Sequence, residues 1–330
     1  MNILELYSGI GGMHLAFEQS GVAGKVNASI EINNIANQIY RLNFPETNLI
    51  NTNIEGLTSD YIKKLNIDTI LMSPPCQPFT RNGLQNDIKD ARTASFFRIL
   101  KLLPDLDVKY LLIENVKGFE NSEMRNILID VLIENDYKYQ EFIISPHQIG
   151  VPNSRHRYYC LAKKTDFSFE TTCLMETFPN IHEHIDCYKI ENIIEQNVDF
   201  KKYYLSDQIL TKYWSVLDIC YKNSTRSCCF TKSYGRFVHG TGSVFTEKSE
   251  EVILKLVKEL NSSNLEEHEK LGLLKSLGLR FFTPREICRL MCFPENFIFP
   301  DYVRDRKKYM VLGNSINVKV VAELIKILNG

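Results

Sequence analysis

The sequence predicts an α/β fold: a mainly parallel sheet covered on both faces by helices, followed by a smaller second domain. Three observations predict it. Short apolar, β-rich runs alternate with helical patterns through the first half of the 330 residues, the signature of parallel strands joined by crossover helices. That rhythm breaks near residue 165. Amphipathic helical patterning then returns over residues 281–330.

Taken in order, ILEL (3–6) reads as a strand, followed by a glycine loop and the helix MHLAFEQS. VNASIEI (26–32), DTILM (68–72), KYLLIE (109–114), YQEFIIS (139–145) and RYYCLAK (157–163) read as further strands. NNIANQIYRLN, ASFFRILKLLP and SEMRNILIDVLIEN read as the helices between them. Residues 1–165 thus form one domain, and functional residues belong at the carboxyl ends of its strands. Residues 166–280 mix aromatic-rich pieces, a basic segment (RSCCFTKSYGRFVHG, 226–240) and an acidic helical stretch (247–277), and read as the smaller domain. Residues 281–330 are helical again, in FTPREICRLMCFP and LGNSINVKVVAELIKIL.

Composition is that of a soluble globular chain, 44% hydrophobic and 24% charged. No apolar run approaches the roughly 20 residues that span a bilayer, and the N-terminus MNILELYSGIGG has no signal-peptide pattern. The nine cysteines include no C-x-x-C unit, which argues against a disulfide framework and against a zinc site and points to a reducing compartment. The expected location is the cytoplasm, with the nucleus as a second. Net charge is −1, so any nucleic-acid role needs a local basic patch.

Four stretches carry chemistry. In LYSGIGGMH, Gly9, Gly11 and Gly12 follow a strand and open a helix, where a backbone can approach a ligand closely. The next strand-end acid is Glu31, placed where a carboxylate can bind ribose hydroxyls. A tight βα turn without a ligand is the alternative. In LMSPPCQPFTRNG, Cys76 stands in a proline-stiffened loop at a strand end. Such a thiol is either a small buried hydrophobe or an aimed nucleophile. Glu114, which heads ENVKGFE, is either a cap or a carboxyl able to hold a proton beside a nitrogen heterocycle. In NSRHRYY, Arg155 and Arg157 alternate at a strand start. They suit carbonyl or phosphate recognition, or they mark a solvated edge strand.

In order, LELYSGIGGMHLAF, the acid in SIEINN, SPPCQPF, ENVKGF, SRHR and LGNSINV resemble the motif set of the cytosine-5 methyltransferase superfamily. The continuation PPCQPFTRNG and the triplet Cys229-Phe230-Thr231 in CFTKSYGRFVHGTGSVF look like its tRNA (cytosine-5) branch, DNA methyltransferase homolog two. The resemblance implies a Rossmann-like S-adenosylmethionine-dependent methyltransferase domain with a smaller target-recognition domain. It also implies methylation of cytosine 38 in the anticodon loop of aspartate tRNA, with S-adenosylhomocysteine as product.

Carried over by position, the resemblance makes Cys76 the nucleophile adding to C6 of the base. Glu114 contacts N3 and the exocyclic amine, Arg157 the base carbonyl oxygen, and Arg155 a phosphate or the Cys76 loop. Tyr7, Ile10, Gly11 and Gly12 surround the methionine part of the cofactor, Glu31 its ribose, and Asn53 and Ile54 its adenine. Ser73, Pro75 and Ser95 line the pocket, and Asn314 and Ser315 close it. Lys201, Lys202, Arg226, Lys232 and Arg236 are candidate RNA contacts. Asn53 stands where many members have aspartate, so a weaker adenine contact is expected. Asn153 stands where the DNA enzymes have glutamine. Rival readings are a DNA cytosine-5 methyltransferase, with weak DNA activity at the least, and a non-catalytic RNA-binding protein that retains the fold. No metal and no membrane partner is expected.

Overall fold

The computed structural model describes residues 1–75, 93–181, 183–261 and 265–330. Within them, strands β1 (Asn2–Leu6), β2 (Lys25–Ile30), β3 (Asn48–Ile50), β4 (Thr69–Met72), β5 (Tyr110–Val116), β6 (Lys138–Ile144) and β7 (Arg157–Lys163) form one sheet in the order β3-β2-β1-β4-β5-β7-β6. Neighbours are parallel from β3 through β5, whereas β7 runs antiparallel to both β5 and β6. β7 is therefore an interior strand, which removes the solvated-edge alternative for its arginines. Its strand begins at Arg157, so Arg155 lies in the lead-in rather than at an alternating strand position.

Side chains leave opposite faces of this sheet alternately, as a pleated strand requires. Ile3, Leu71, Leu112, Tyr159 and Leu161 enter one apolar cluster, and Leu4, Ile70, Met72, Ile113, Tyr158 and Cys160 enter another. Both faces are buried, which is why the strands read as continuous apolar runs. Helices α1 (Gly12–Ser20) and α2 (Asn34–Asn43) pack on the first face. Helices α4 (Ala94–Leu102) and α5 (Glu123–Glu134), with the five-residue α3 (Ser59–Lys63), serve the second.

A separate apolar cluster gathers Leu205, Leu210, Val244, Ile253, Leu260, Leu274 and Leu277. It is built on α6 (Asp207–Tyr213), α7 (Glu250–Leu260), α8 (Glu267–Ser276) and a small sheet of β8 (Ile219–Cys220), β9 (Val244–Phe245) and β10 (Arg280–Phe281). Helices α9 (Pro284–Leu290), α10 (Asp305–Gly313) and α11 (Val318–Asn329) follow, and the apolar face of α11 joins the cluster that also holds α1.

The stretch 312–328 is not one helix. It breaks between Gly313 and Val318, because Asn317 turns back to cap α11, its side chain accepting from Val320 N at 3.1 Å. Asn314 and Ser315 lie in that break.

Candidate active site

Leaving β1, the backbone takes left-handed positions at Tyr7, Gly9 and Gly11, with φ of 55°, 53° and 86°. For tyrosine this region is costly, and for glycine it is not. The loop so formed is pinned by Glu31, just past β2. Its Oε2 accepts from Gly9 N at 2.9 Å, and its Oε1 from Ile32 N and Asn33 N at 2.9 and 2.7 Å. A carboxylate has about four acceptor sites, so Glu31 can hold this loop and still accept from a ligand hydroxyl. Gly12 is needed for a different reason. A Cβ there would lie 2.8 Å from Ser315 Oγ and 2.9 Å from Ile316 Cγ1, so the segment after α10 packs directly on the loop.

Between these walls lies a cavity of about 420 Å³, within the usual size range of small-molecule sites. Of the residues named from sequence, Tyr7, Ile10, Gly12, Glu31, Ser73, Pro75, Asn314 and Ser315 line it, together with Glu114, Arg155, Arg157 and Lys232. Four of the residues named for the cofactor do not line it. Gly11 packs on Phe44, 2.2 Å from where its Cβ would stand. Ser95 accepts from Tyr7 Oη at 3.1 Å, behind the wall that this tyrosine forms. Ile54 is buried in the core, and Asn53 is exposed, its Oδ1 accepting from Glu55 N at 3.2 Å. Cys76 lies outside the described residues; Pro75, its neighbour in sequence, is on the cavity wall.

Glu114 lies toward the carboxyl end of β5, 8% exposed, with its Oε1 3.4 Å from Arg157 Nε. Burial pushes its carboxyl above the ordinary value, and Arg157 and Arg155 pull it back only in part. Arg155 was expected to hold a phosphate or the Cys76 loop, and that loop lies outside the described residues. Its Nη1 donates to Phe230 O at 3.1 Å and to Cys229 Sγ at 3.4 Å, and its Nη2 donates to Gly313 O at 3.1 Å and to Ser315 O. Those bonds use the Nη hydrogens, so Arg155 knits protein segments together rather than reaching out for a phosphate. Its Nε is buried without a partner among the described residues. Asn153 takes part in the same joint, donating to Cys228 O at 2.9 Å and Ser227 Oγ at 3.1 Å.

Sequence reasoning missed Glu5, which also lines the cavity and is 1% exposed. It accepts from Tyr40 Oη at 2.9 Å and from His14 N at 3.3 Å, and His14 Nδ1 lies 2.8 Å from Tyr40 Oη. Burial pushes Glu5 up to about 8 and His14 down to about 4. Ser8 was missed as well: its hydroxyl is buried in the same cavity without a partner among the described residues. The only signal for either was its place in the motif LELYSG.

The five candidate RNA contacts are not equivalent. Lys232 lines the cavity, and Arg236 lies beside the exposed Phe237, 4.9 Å from its ring centroid. Lys201 is exposed. Lys202 and Arg226 are already paired, with Asp305 at 2.6 Å and Asp218 at 2.7 Å. Among the described residues no cluster of His, Cys, Asp and Glu could hold a metal, and no helix is long and apolar enough to cross a membrane.

The chain is similar to known proteins over its whole length. The C-5 cytosine-specific DNA methylase family matches residues 1–329. The chain is 50% identical to a tRNA (cytosine(38)-C(5))-methyltransferase of Spodoptera frugiperda, covering 99% of this chain and 98% of that one. It is 40% identical to the protein of the same name from Bos taurus, covering 99% of each. A solved structure of a Spodoptera frugiperda DNMT2 variant superposes with a TM-score of 0.91 at 48% identity, covering 100% of this chain and 99% of that one.

Proposed function

The chain belongs to the C-5 cytosine-specific DNA methylase family, and we propose that it transfers a methyl group from S-adenosylmethionine to C5 of cytosine 38 in tRNA, with aspartate tRNA as the preferred substrate. The observation that carries the chemistry is one continuous cavity, walled at one place by the glycine loop and Glu31 and at another by Glu114 and Arg157. A donor site and a base site open into each other there. The choice of tRNA rests on the names of the relatives.

The cavity suits the cofactor. Its about 420 Å³, the unpartnered Ser8 hydroxyl and the Glu31 carboxylate suit a nucleoside joined to an amino acid. When bound, S-adenosylmethionine supplies an electrophilic methyl group and leaves as neutral S-adenosylhomocysteine. Tyr7, Ile10 and Gly12 bound the space for its amino-acid part, and Asn314 and Ser315 form the facing wall.

Cytosine C5 is a poor nucleophile until C6 is attacked. Cys76 supplies that attack: its thiolate forms a bond to C6, and the electrons of the C5–C6 double bond become available at C5. Glu114 holds a proton toward N3 and accepts from the exocyclic amine, so the charge that would build on the ring is neutralised. Arg157 donates to the base carbonyl oxygen. After C5 takes the methyl, loss of the C5 proton restores the double bond and breaks the bond from sulfur to C6. The target base must leave its stack to enter, which costs less in a loop than in a duplex.

The test uses labelled cofactor with aspartate tRNA, the same tRNA with cytosine 38 replaced, and duplex DNA. Incorporation only into the first supports the proposal, and equal or greater incorporation into DNA overturns it. A tRNA bearing 5-fluorocytosine at position 38 adds a structural readout, because its C5 substituent cannot leave as a proton. Wild type with cofactor forms a denaturant-stable adduct and Cys76→Ala forms none.

A further inference from the structure

Behind the arginines of the site stands a thiol that the proposed reaction does not use. Cys229 Sγ lies 3.4 Å from Arg155 Nη1 and 3.7 Å from Arg157 Nη2, so a single sulfur touches both guanidiniums. Arg155, Arg157 and Glu114 line the cavity, whereas Cys229 is not among its lining residues. The sulfur thus contacts the guanidiniums without forming part of the wall that meets a ligand, which is a poor position for a nucleophile and a good one for a support.

The arginine pair needs such a support. Two adjacent guanidiniums repel: burial first, and then Arg157, destabilises the charge on Arg155. One anion beside them is Glu114, and the proposed reaction asks Glu114 to carry a proton at the base. A protonated Glu114 leaves two cations facing each other in a buried site unless another negative charge stands close by.

We propose that Cys229 is a positioning residue: its sulfur is the fixed counter-ion that keeps Arg155 and Arg157 side by side, leaving the Glu114 carboxyl free to hold a proton at the base. This rests on the proposed reaction for its purpose, but not for its geometry. Burial alone would push the Cys229 thiol up. Arg155 and Arg157 outweigh it and hold the thiol below its ordinary value. The groups facing the cluster are Arg155 from the β7 lead-in, Arg157 and Tyr159 from β7, and Glu114 from β5. Cys228, next in sequence, turns instead to Asp218 and Arg226, and burial first and then Asp218 push it up. Of the two neighbouring thiols, Cys229 is therefore the one whose charged form its surroundings favour.

The first experiment needs neither tRNA nor methyl donor. In a Cys76→Ala background, ultraviolet thiolate absorbance is titrated with and without Cys229→Ser. The expected result is a step at a pH below the ordinary thiol range that disappears with Cys229→Ser; an unchanged titration overturns the proposal. Peptide-resolved alkylation of Cys76→Ala alone reads the same ionisation without altering Cys229, should the serine variant not fold. The second experiment follows methyl transfer against pH. Losing the sulfur's charge makes Glu114 the sole counter-ion and lowers its pKa. In Cys229→Ser the alkaline fall in kcat therefore moves down by about one pH unit, with KM for tRNA near wild type, and Cys229→Asp moves it back. A kcat loss equal at every pH, or no return with aspartate, leaves only packing and sinks the idea. A wild type that ionises Cys229 but moves no methyl would instead overturn the proposed reaction while leaving the counter-ion intact.

Discussion

Glu114 and Arg157 are diagonal neighbours across an antiparallel ladder, with Glu114 opposite Tyr159, Val116 opposite Arg157, and the two charged groups 3.4 Å apart. Diagonal positions share a face. The reversed direction of β7 is what brings an arginine at its start beside an acid near the end of β5.

Glu114→Gln keeps the shape of that pair but cannot pass a proton. We expect kcat to fall by about 10² to 10⁴, the usual worth of a positioned acid or base, with tRNA and cofactor affinities retained. The wild-type carboxyl is held above its ordinary value, first by burial, and must be protonated to act. Transfer should therefore decline on the alkaline side, and Glu114→Gln should lose that decline. Steady-state kinetics across pH with separate binding isotherms would decide it; a wild-type kcat in the glutamine variant would remove Glu114 from the chemistry.

Cofactor binding is tested by melting. S-adenosylhomocysteine at about 100 times its Kd should stabilise wild type by about 2.7 kcal/mol. Glu31→Ala removes the acceptor that pins Gly9, Ile32 and Asn33, and should show a much smaller shift. Gly12→Ala places a methyl 2.8 Å from Ser315 Oγ, and should cost about 1–3 kcal/mol of stability as an overpacked contact as well as affinity. An unchanged ligand shift in both variants would move the cofactor elsewhere.

Glu5 predicts a slope of stability against pH. Its carboxyl is raised from 4.5 to about 8 in the folded state. Between those values the native protein holds a proton that the unfolded chain has released. Stability from this group is therefore greatest at low pH and falls as pH rises through that window. By pH 8 the loss is on the order of a few kcal/mol. Glu5→Gln should flatten the slope and melt higher than wild type at pH 8, as calorimetry between pH 5 and pH 8 would reveal. A steeper slope in the variant would contradict the assignment.

For RNA, the pairing of Lys202 with Asp305 and of Arg226 with Asp218 separates strong from weak candidates. Charge reversal at Lys232 and Arg236 should weaken tRNA binding and reduce its dependence on salt, since a phosphate that is no longer neutralised keeps its condensed counter-ions. Lys202→Ala should change little. Filter binding over a salt series, with cofactor affinity as the folding control, distinguishes the two. Equal weakening by Lys202→Ala would show that its ion pair opens for RNA.

Much of this was legible in the residues because burial on both faces writes strands as plain apolar runs. β1, β4, β5 and β7 fall within a residue or two of where the runs lie. β3, the three residues NLI, was missed, because so short an edge strand carries no period. α3 was missed for the same reason. In the site, motif order found the loop, Glu31, Glu114 and Arg157. It could not find the work of Arg155, whose partners are carbonyls of Phe230, Gly313 and Ser315, since a backbone oxygen leaves no mark in a sequence. Nor could it find Glu5, whose position in the alternation of β1 matters only because that face is covered.

The bonds of Arg155 also fix when the enzyme can first exist. They fasten the lead-in of β7 to the segment that carries Phe230 and to the turn before α11, and Gly12 meets Ser315 from far along the chain. A ribosome that has released the glycine loop and both acids has still made only half a pocket; the facing wall waits for Val311 to Ile316. Contacts of such long sequence separation form slowly, so catalytic competence should emerge in a single late event during synthesis. On gradual denaturation it should vanish with the first loosening of α11, before the sheet itself gives way.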